Sequence, residues 1–254
     1  MLAIAETLVT AFCKTLDFSG DTRKPSVDVF DLAERVGAEA VVVRELPEDG
    51  RVEDSPYSTK IFLAGLPAKE RRRFTLSHEL GHLVLSDPKV FRLLRSSLHT
   101  DKLDVETLCD AFAAELLMPR KWVSRQYEDE PERLDVLYDV AERAEVSLAA
   151  SAVRLKNVLG WQSSLLYFHR RRDWAPTIVA GRIPGHHIEL SGKTASTLWA
   201  LETTGEAPAA RRTIELAVRG RQLRLRCEVR PTPSGVMCLA PLAAAYHGQH
   251  RQQG

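Results

Sequence analysis

The chain has 254 residues, 44% of them hydrophobic and 27% charged, which is the profile of a globular protein rather than a disordered or fibrous one. A formal net charge of +1 excludes a chain that is strongly basic or acidic as a whole, and four cysteines without a C-x-x-C pair exclude a disulfide scaffold. No stretch approaches the roughly 18 apolar residues of a membrane helix, so a cytoplasmic protein with reduced, buried thiols and no membrane partner is expected.

Leu2, Ala5, Val9, Phe12 and Leu16 recur at helical spacing. The first segment therefore reads as an amphipathic helix, not a signal peptide, because Glu6 interrupts its apolar run. "SGDTRKPS" is a linker, and "SVDVFDLAERVG" is a helix stopped by Gly37. "AEAVVVREL" reads as a strand, "PEDGRVEDSPYS" as a polar loop and "TKIFLAGL" as a second strand. A helix follows Pro67 and ends before Pro88. "DVETLCDAFAAELLMP" is a helix with an apolar stripe of Val105, Leu108, Cys109, Phe112 and Leu116, closed by Pro119. Residues 131–160 give two helices with a break near Glu145 and Val146. From Trp161 the pattern turns to strands, among them "SSLLYF", "TIVAGRI", "TIELAV" and "QLRLRCEV", interrupted by a helix over "KTASTLWALETTG". Leu223, Leu225, Cys227 and Val229 alternate with polar residues, as in a strand with one basic outer face. Residues 161–254 carry 13 Lys/Arg against 6 Asp/Glu, so a basic rear follows an acidic front.

His78 and His82 stand four apart on one helix, which turns both rings to the same face. Both nitrogens can then reach one cation at about 2.0–2.1 Å. Glu79, one step round the helix, is placed to take a proton from water beside that cation. The bland alternative is a helix holding two satisfied histidines. A catalytic zinc site needs a third protein ligand and an open position. Glu106 lies 24 residues past His82, and Asp110 follows on the same helical face. Glu106 is the expected third ligand; Asp110 is the expected acceptor for the free N–H of a ligating histidine. Gly81, inside the helix, reads either as room for another backbone to pack closely or as a tolerated accident.

"RFTLSHELGHLVL" followed by "ETLCDAFAAELLMP" resembles the ImmA/IrrE metallopeptidases, and "SVDVFDLAERVGAEAVVV" resembles that family's N-terminal segment. Cys109 stands where the family pattern has alanine and Asp110 where it has asparagine. The resemblance covers about residues 25–120. It implies an α+β fold with a thermolysin-like (gluzincin) metallopeptidase domain over 1–125, a helix-turn-helix-like helical segment over 126–160, a small α+β GAF-like sensor domain over 161–250 and a tail over 251–254. It implies Zn²⁺ as cofactor, with Mn²⁺ or Fe²⁺ able to occupy a similar shell. It also implies limited cleavage of an XRE-family helix-turn-helix repressor, which derepresses stress or DNA-damage response genes. Ile61, Phe62, Leu63 and Ala64 would form the edge strand that holds extended substrate by backbone pairing.

A donor to the oxyanion is expected, and Tyr57 and His99 are the candidates, each with a packing or surface role as the plainer alternative. A small molecule or protein is the expected ligand of the C-terminal domain. His186, His187, His247 and His250 lack neighbouring carboxylates or thiols and are set aside. The second function class is a DNA-binding regulator with a structural or sensory metal. It is the less favoured, because "SLAASAVRLKNVLG" offers only Arg154 and Lys156 as phosphate or base contacts.

Overall fold

The computed structural model describes residues 1–16, 25, 27–55, 57–88, 90, 104–169, 176–180, 188–190, 210–218, 221–232 and 235–241. The fold is mixed α+β, and the chain divides into two units. Met1–Glu128 with Ala141–Ser147 form the first, and Asp129–Val140 with Leu148–Gly254 form the second.

The first unit opens with α1 (Leu2–Thr15), whose Ala5, Leu8, Val9 and Phe12 are buried as the helical period requires. Asp28 starts α2 (Val29–Arg35) by accepting from the N–H groups of Phe30 and Asp31 at 3.0 and 3.2 Å, and Gly37 at φ 77° follows the helix. Three strands follow: β1 (Ala38–Val43), β2 (Gly50–Asp54) and β3 (Thr59–Ala64), in the order β1-β3-β2. β1 runs parallel to β3, and β2 antiparallel to it. Ile61 to Ala64 therefore lie in the central strand, not at an edge, because both sides of β3 are already paired. Ile61 and Leu63 are fully buried, which explains the apolar run that made the segment legible as a strand. The free edge beside the cleft belongs to β2, which the polar sequence "GRVED" had concealed as loop.

α3 (Lys69–Ser86) packs on this sheet with one side and on α4 (Val105–Leu117) with another. Its Leu76 and Leu80, and Leu108, Phe112 and Leu116 of α4, are buried. Phe112 meets Phe12 of α1 edge to face, with ring centroids 5.6 Å apart. A further helix, α5 (Arg120–Tyr127), was not expected. Pro119 ends one helix and precedes the next, and the buried Glu115 carboxylate accepts the Arg120 N–H at 3.0 Å, satisfying a donor at the new helix start.

α6 (Leu134–Ala144) runs from the second unit into the first and is followed by Glu145, a non-glycine residue at φ 50°. That conformation costs about 1–2 kcal/mol. It aims the Glu145 carboxylate at the start of α3, 2.8 Å from Lys69 Nζ and 3.9 Å from the buried Arg73 guanidinium. The Lys69 hydrogen bond and the Arg73 charge hold the Glu145 carboxyl below its ordinary range. A depressed carboxyl stabilises the fold above its unfolded pKa of about 4.3, and this is lost as pH falls through the folded value. Glu145→Gln is expected to lower stability by about 0.5–1 kcal/mol at pH 7, since both exposed partners are solvent-screened. Thermal melts at pH 7 and pH 3 check this: the difference between wild type and variant should close at the lower pH.

The second unit holds α7 (Leu148–Leu159) and a sheet of β4 (Ser164–His169), β5 (Pro176–Ala180), β6 (Ile188–Leu190), β7 (Ala210–Val218), β8 (Arg221–Thr232) and β9 (Gly235–Ala240). Its order is β5-β4-β9-β8-β7-β6, with every neighbouring pair antiparallel. The expected alternation holds in β8: Leu225, Cys227 and Val229 are buried while Arg224 and Arg226 are exposed. All four cysteines are buried and free. The expected helix over 193–205 lies outside the described residues.

Candidate metal centre

α3 is anchored at its start by Arg72, which donates to the carbonyls of Gly65 and Pro67 at 2.9 and 3.0 Å. It buries Leu76 and Leu80, and residues two positions away point to the other side of the helix, which brings His78 and His82 to the cleft with the buried Glu79 between those faces. α4 begins at Asp104, whose side chain accepts the Thr107 N–H at 3.2 Å and so fixes the first turn, where Glu106 sits. The two helices pack against each other at Gly81 and Cys109. A Cβ there would stand 3.2–3.3 Å from Cys109 Cα, Cβ and Sγ, tighter than ordinary contact. The glycine between the two histidines is therefore what lets α4 lie near enough for its carboxylates to reach them.

The result is a convergence of donors. His78 Nε2 and His82 Nε2 are 3.1 Å apart, and the Glu106 carboxylate oxygens are 3.3 Å from the first and 3.4 Å from the second. Four donors placed tetrahedrally at about 2.0–2.1 Å from a zinc ion stand about 3.3–3.4 Å from one another. The two imidazole nitrogens and the Glu106 carboxylate, which turns one oxygen to each ring, converge at close to that spacing, and the residues fit a divalent cation. His78 Nδ1 lies 2.9 Å from Asp110 Oδ1. A carboxylate only accepts, so Nδ1 carries the hydrogen and Nε2 keeps its lone pair for the shared point.

These groups line a cleft of about 640 Å³. Asp49, Gly50, Arg51 and Val52 form one wall, Phe74, Thr75, His78, Glu79 and His82 the floor, and Glu106 and Asp110 the other wall. Glu79 is only 8% exposed. Its burial pushes the carboxyl up, His78 and His82 pull it down, and Glu106 and Glu48 push it up again. The net rise makes Glu79 a better proton acceptor than a solvated carboxylate. Glu106 and Asp110 have side chains 72% and 61% exposed. They stand on the outer wall of an open cleft, so they reach the imidazoles while keeping a face to solvent.

A second grouping, His78, His82 and Cys109, has donor atoms within 4.8 Å of one another. Burial and the nearby carboxylates of Glu106, Glu79 and Asp110 push the Cys109 thiol up to about 12, and the thiolate is the form that ligates. Cys109 is buried and absent from the cleft lining, whereas Glu106 lines it.

Tyr57 is 97% exposed on the loop between β2 and β3 and does not line the cleft, so its position gives no support to an oxyanion role. His99, His186, His187, His247 and His250 lie outside the described residues. Gly50, Val52, Phe74 and Thr75 went unnoticed in the sequence. Gly50 looked like a turn glycine after Asp49, and nothing local distinguishes it from one.

Residues 29–156 match the family profile described as "IrrE N-terminal-like domain", a peptidase family. The "Radiation response metalloprotease IrrE" of Deinococcus radiodurans is 32% identical over 133 residues, which is 51% of this chain and 36% of that protein. The protein of the same description in Deinococcus deserti is 36% identical over 89 residues, covering 34% of this chain and 32% of that protein. The matches thus span about a third of the length of these curated relatives.

Proposed function

Starting from a chain that belongs to the IrrE N-terminal-like domain family of peptidases, we propose that it is a zinc-dependent endopeptidase. It makes a limited cut in an XRE-type helix-turn-helix repressor and so derepresses stress or DNA-damage response genes. The observation that carries this is the triangle of His78 Nε2, His82 Nε2 and the Glu106 carboxylate, with sides of 3.1, 3.3 and 3.4 Å, and the buried Glu79 carboxylate on the same cleft floor. A structural metal site has no use for that fourth group.

In this reading His78, His82 and Glu106 hold the cation, and Asp110 fixes the His78 tautomer. When bound, zinc supplies Lewis acidity, which activates water near neutral pH and polarises a peptide carbonyl. Glu79 accepts the proton from the attacking water and delivers it to the leaving nitrogen. Substrate enters extended along β2. Ala64 N–H donates to Asp49 O at 2.9 Å, so in this antiparallel ladder residues 49, 51 and 53 turn their backbone groups to β3. Gly50, Val52 and Asp54 then face the open edge, where a substrate strand can pair.

The proposal extends to organisation. Residues 1–125 form a thermolysin-like peptidase domain, 126–160 a helix-turn-helix-like pair and 161–250 a GAF-like sensor for a small molecule or protein. The open antiparallel sheet of the second unit supports the last of these. The test is to incubate the zinc-loaded protein with helix-turn-helix repressors encoded beside its gene and to read intact mass. One clean cut, abolished by a chelator, is expected. Intact repressors in the presence of verified zinc loading, together with salt-dependent duplex binding, would replace the peptidase reading with that of a DNA-binding regulator.

A further inference from the structure

The wall of the cleft opposite Glu106 begins at a residue whose side chain is missing for a spatial reason. Gly50 opens β2 with a φ outside the left-handed region, so its conformation alone does not require glycine. Space does. A Cβ on Gly50 would stand 2.4 Å from Thr75 Cγ2, 3.2 Å from the Phe62 carbonyl oxygen and 3.3 Å from Glu79 Oε1. The first distance is one that real Cβ atoms essentially never show, and Thr75 has little freedom to retreat. It stands on α3, with its hydroxyl donating to the Arg71 carbonyl at 3.0 Å. The third distance concerns the cleft itself, because Glu79 Oε1 lies directly against the first residue of the free edge.

We propose that Gly50 is a positioning residue: its missing side chain sets the gap between the β2 edge and Glu79, so that a peptide paired to that edge presents its scissile bond to the Glu79 carboxylate. This rests on the peptidase reading and adds the element that fixes substrate height above the base. A side chain at position 50 must displace Thr75 or lift β2 away from α3, and the second shifts the edge relative to Glu79. Misplacing a reacting group by about 1 Å costs on the order of 10²-fold in rate, whereas none of the three nearest atoms a Cβ at position 50 would meet belongs to His78, His82 or Glu106.

The obstructing atom suggests a paired test in the full chain. Gly50→Ala places a methyl against Thr75 Cγ2; Thr75→Ser removes that methyl and keeps a hydroxyl for the Arg71 carbonyl. Zinc content, melting temperature and kcat/KM on the repressor cut by wild type are measured for wild type, Gly50→Ala and the Gly50→Ala/Thr75→Ser double variant. The expected result is full zinc loading in all three, a drop of about 10- to 100-fold in kcat/KM for Gly50→Ala, and recovery to within a few-fold in the double variant. Wild-type cleavage matched by Gly50→Ala overturns the spacing role and leaves the peptidase reading standing. A loss in Gly50→Ala that the double variant does not recover also overturns it, since the obstruction would then not be the cause. A zinc-loaded wild type that cuts nothing defeats both together.

Discussion

Glu79→Gln is expected to leave zinc binding intact and to reduce peptide cleavage by about 10²–10⁴-fold. The substitution keeps shape and volume in a residue that is almost fully buried, so it opens no void against α3. It removes one thing, the capacity to accept a proton. His78 and His82 lie on the same helix but meet the Glu106 carboxylate through their own nitrogens, and no distance in that triangle depends on Glu79 being ionised. Burial raises the wild-type carboxyl, so replacing it with a neutral amide also relieves desolvation, and the variant should fold at least as well as its parent. Metal stoichiometry by mass spectrometry and product formation by intact mass separate the two effects. Unchanged cleavage by the zinc-loaded variant would mean that Glu79 is not the base.

The second large effect distinguishes the two triads of donors. Glu106→Ala should weaken zinc binding by at least about 100-fold, because removing a direct ligand costs more than the 10–100-fold seen for supporting residues. Cys109→Ala should leave zinc affinity within a few-fold of wild type. The carboxylate oxygens stand 3.3 and 3.4 Å from the imidazole nitrogens and line the open cleft, whereas Cys109 is buried and absent from that lining. Cys109→Ala also removes the sulfur that crowds Gly81, so the packing of α3 on α4 tolerates it. Competition titration with a chromophoric chelator reads both constants. The opposite ranking, with Cys109→Ala losing the metal and Glu106→Ala keeping it, would move the third ligand to the thiol.

Local pattern carried most of the helices. Their periodic apolar faces and the Gly37 stop are short-range features, and both hold in the structure. α5 was missed because Pro119 carries two meanings: it closes one helix and precedes the next. β2 was missed because an edge strand facing solvent buries little. Its alternation of Gly50, Arg51, Val52, Glu53 and Asp54 offers one apolar side chain, and its strand character comes from pairing with β3. The same blindness misplaced the substrate edge. A continuous apolar run such as Ile61–Ala64 marks a strand buried on both sides, and that is a central strand.

The amino-acid order alone marks the candidate groups, because helix geometry sets their arrangement. Residues four apart share a face in any α-helix, so His78 with His82, and Glu106 with Asp110, are paired before the chain folds further. Which strand borders the cleft, how near α4 comes to α3 and where Gly50 stands above Glu79 were decided only by the tertiary structure. Those distances depend on contacts between segments dozens of residues apart, at Gly81 against Cys109 and at Gly50 against Thr75, where the decisive feature is an absent side chain whose purpose shows only once its neighbours are in place.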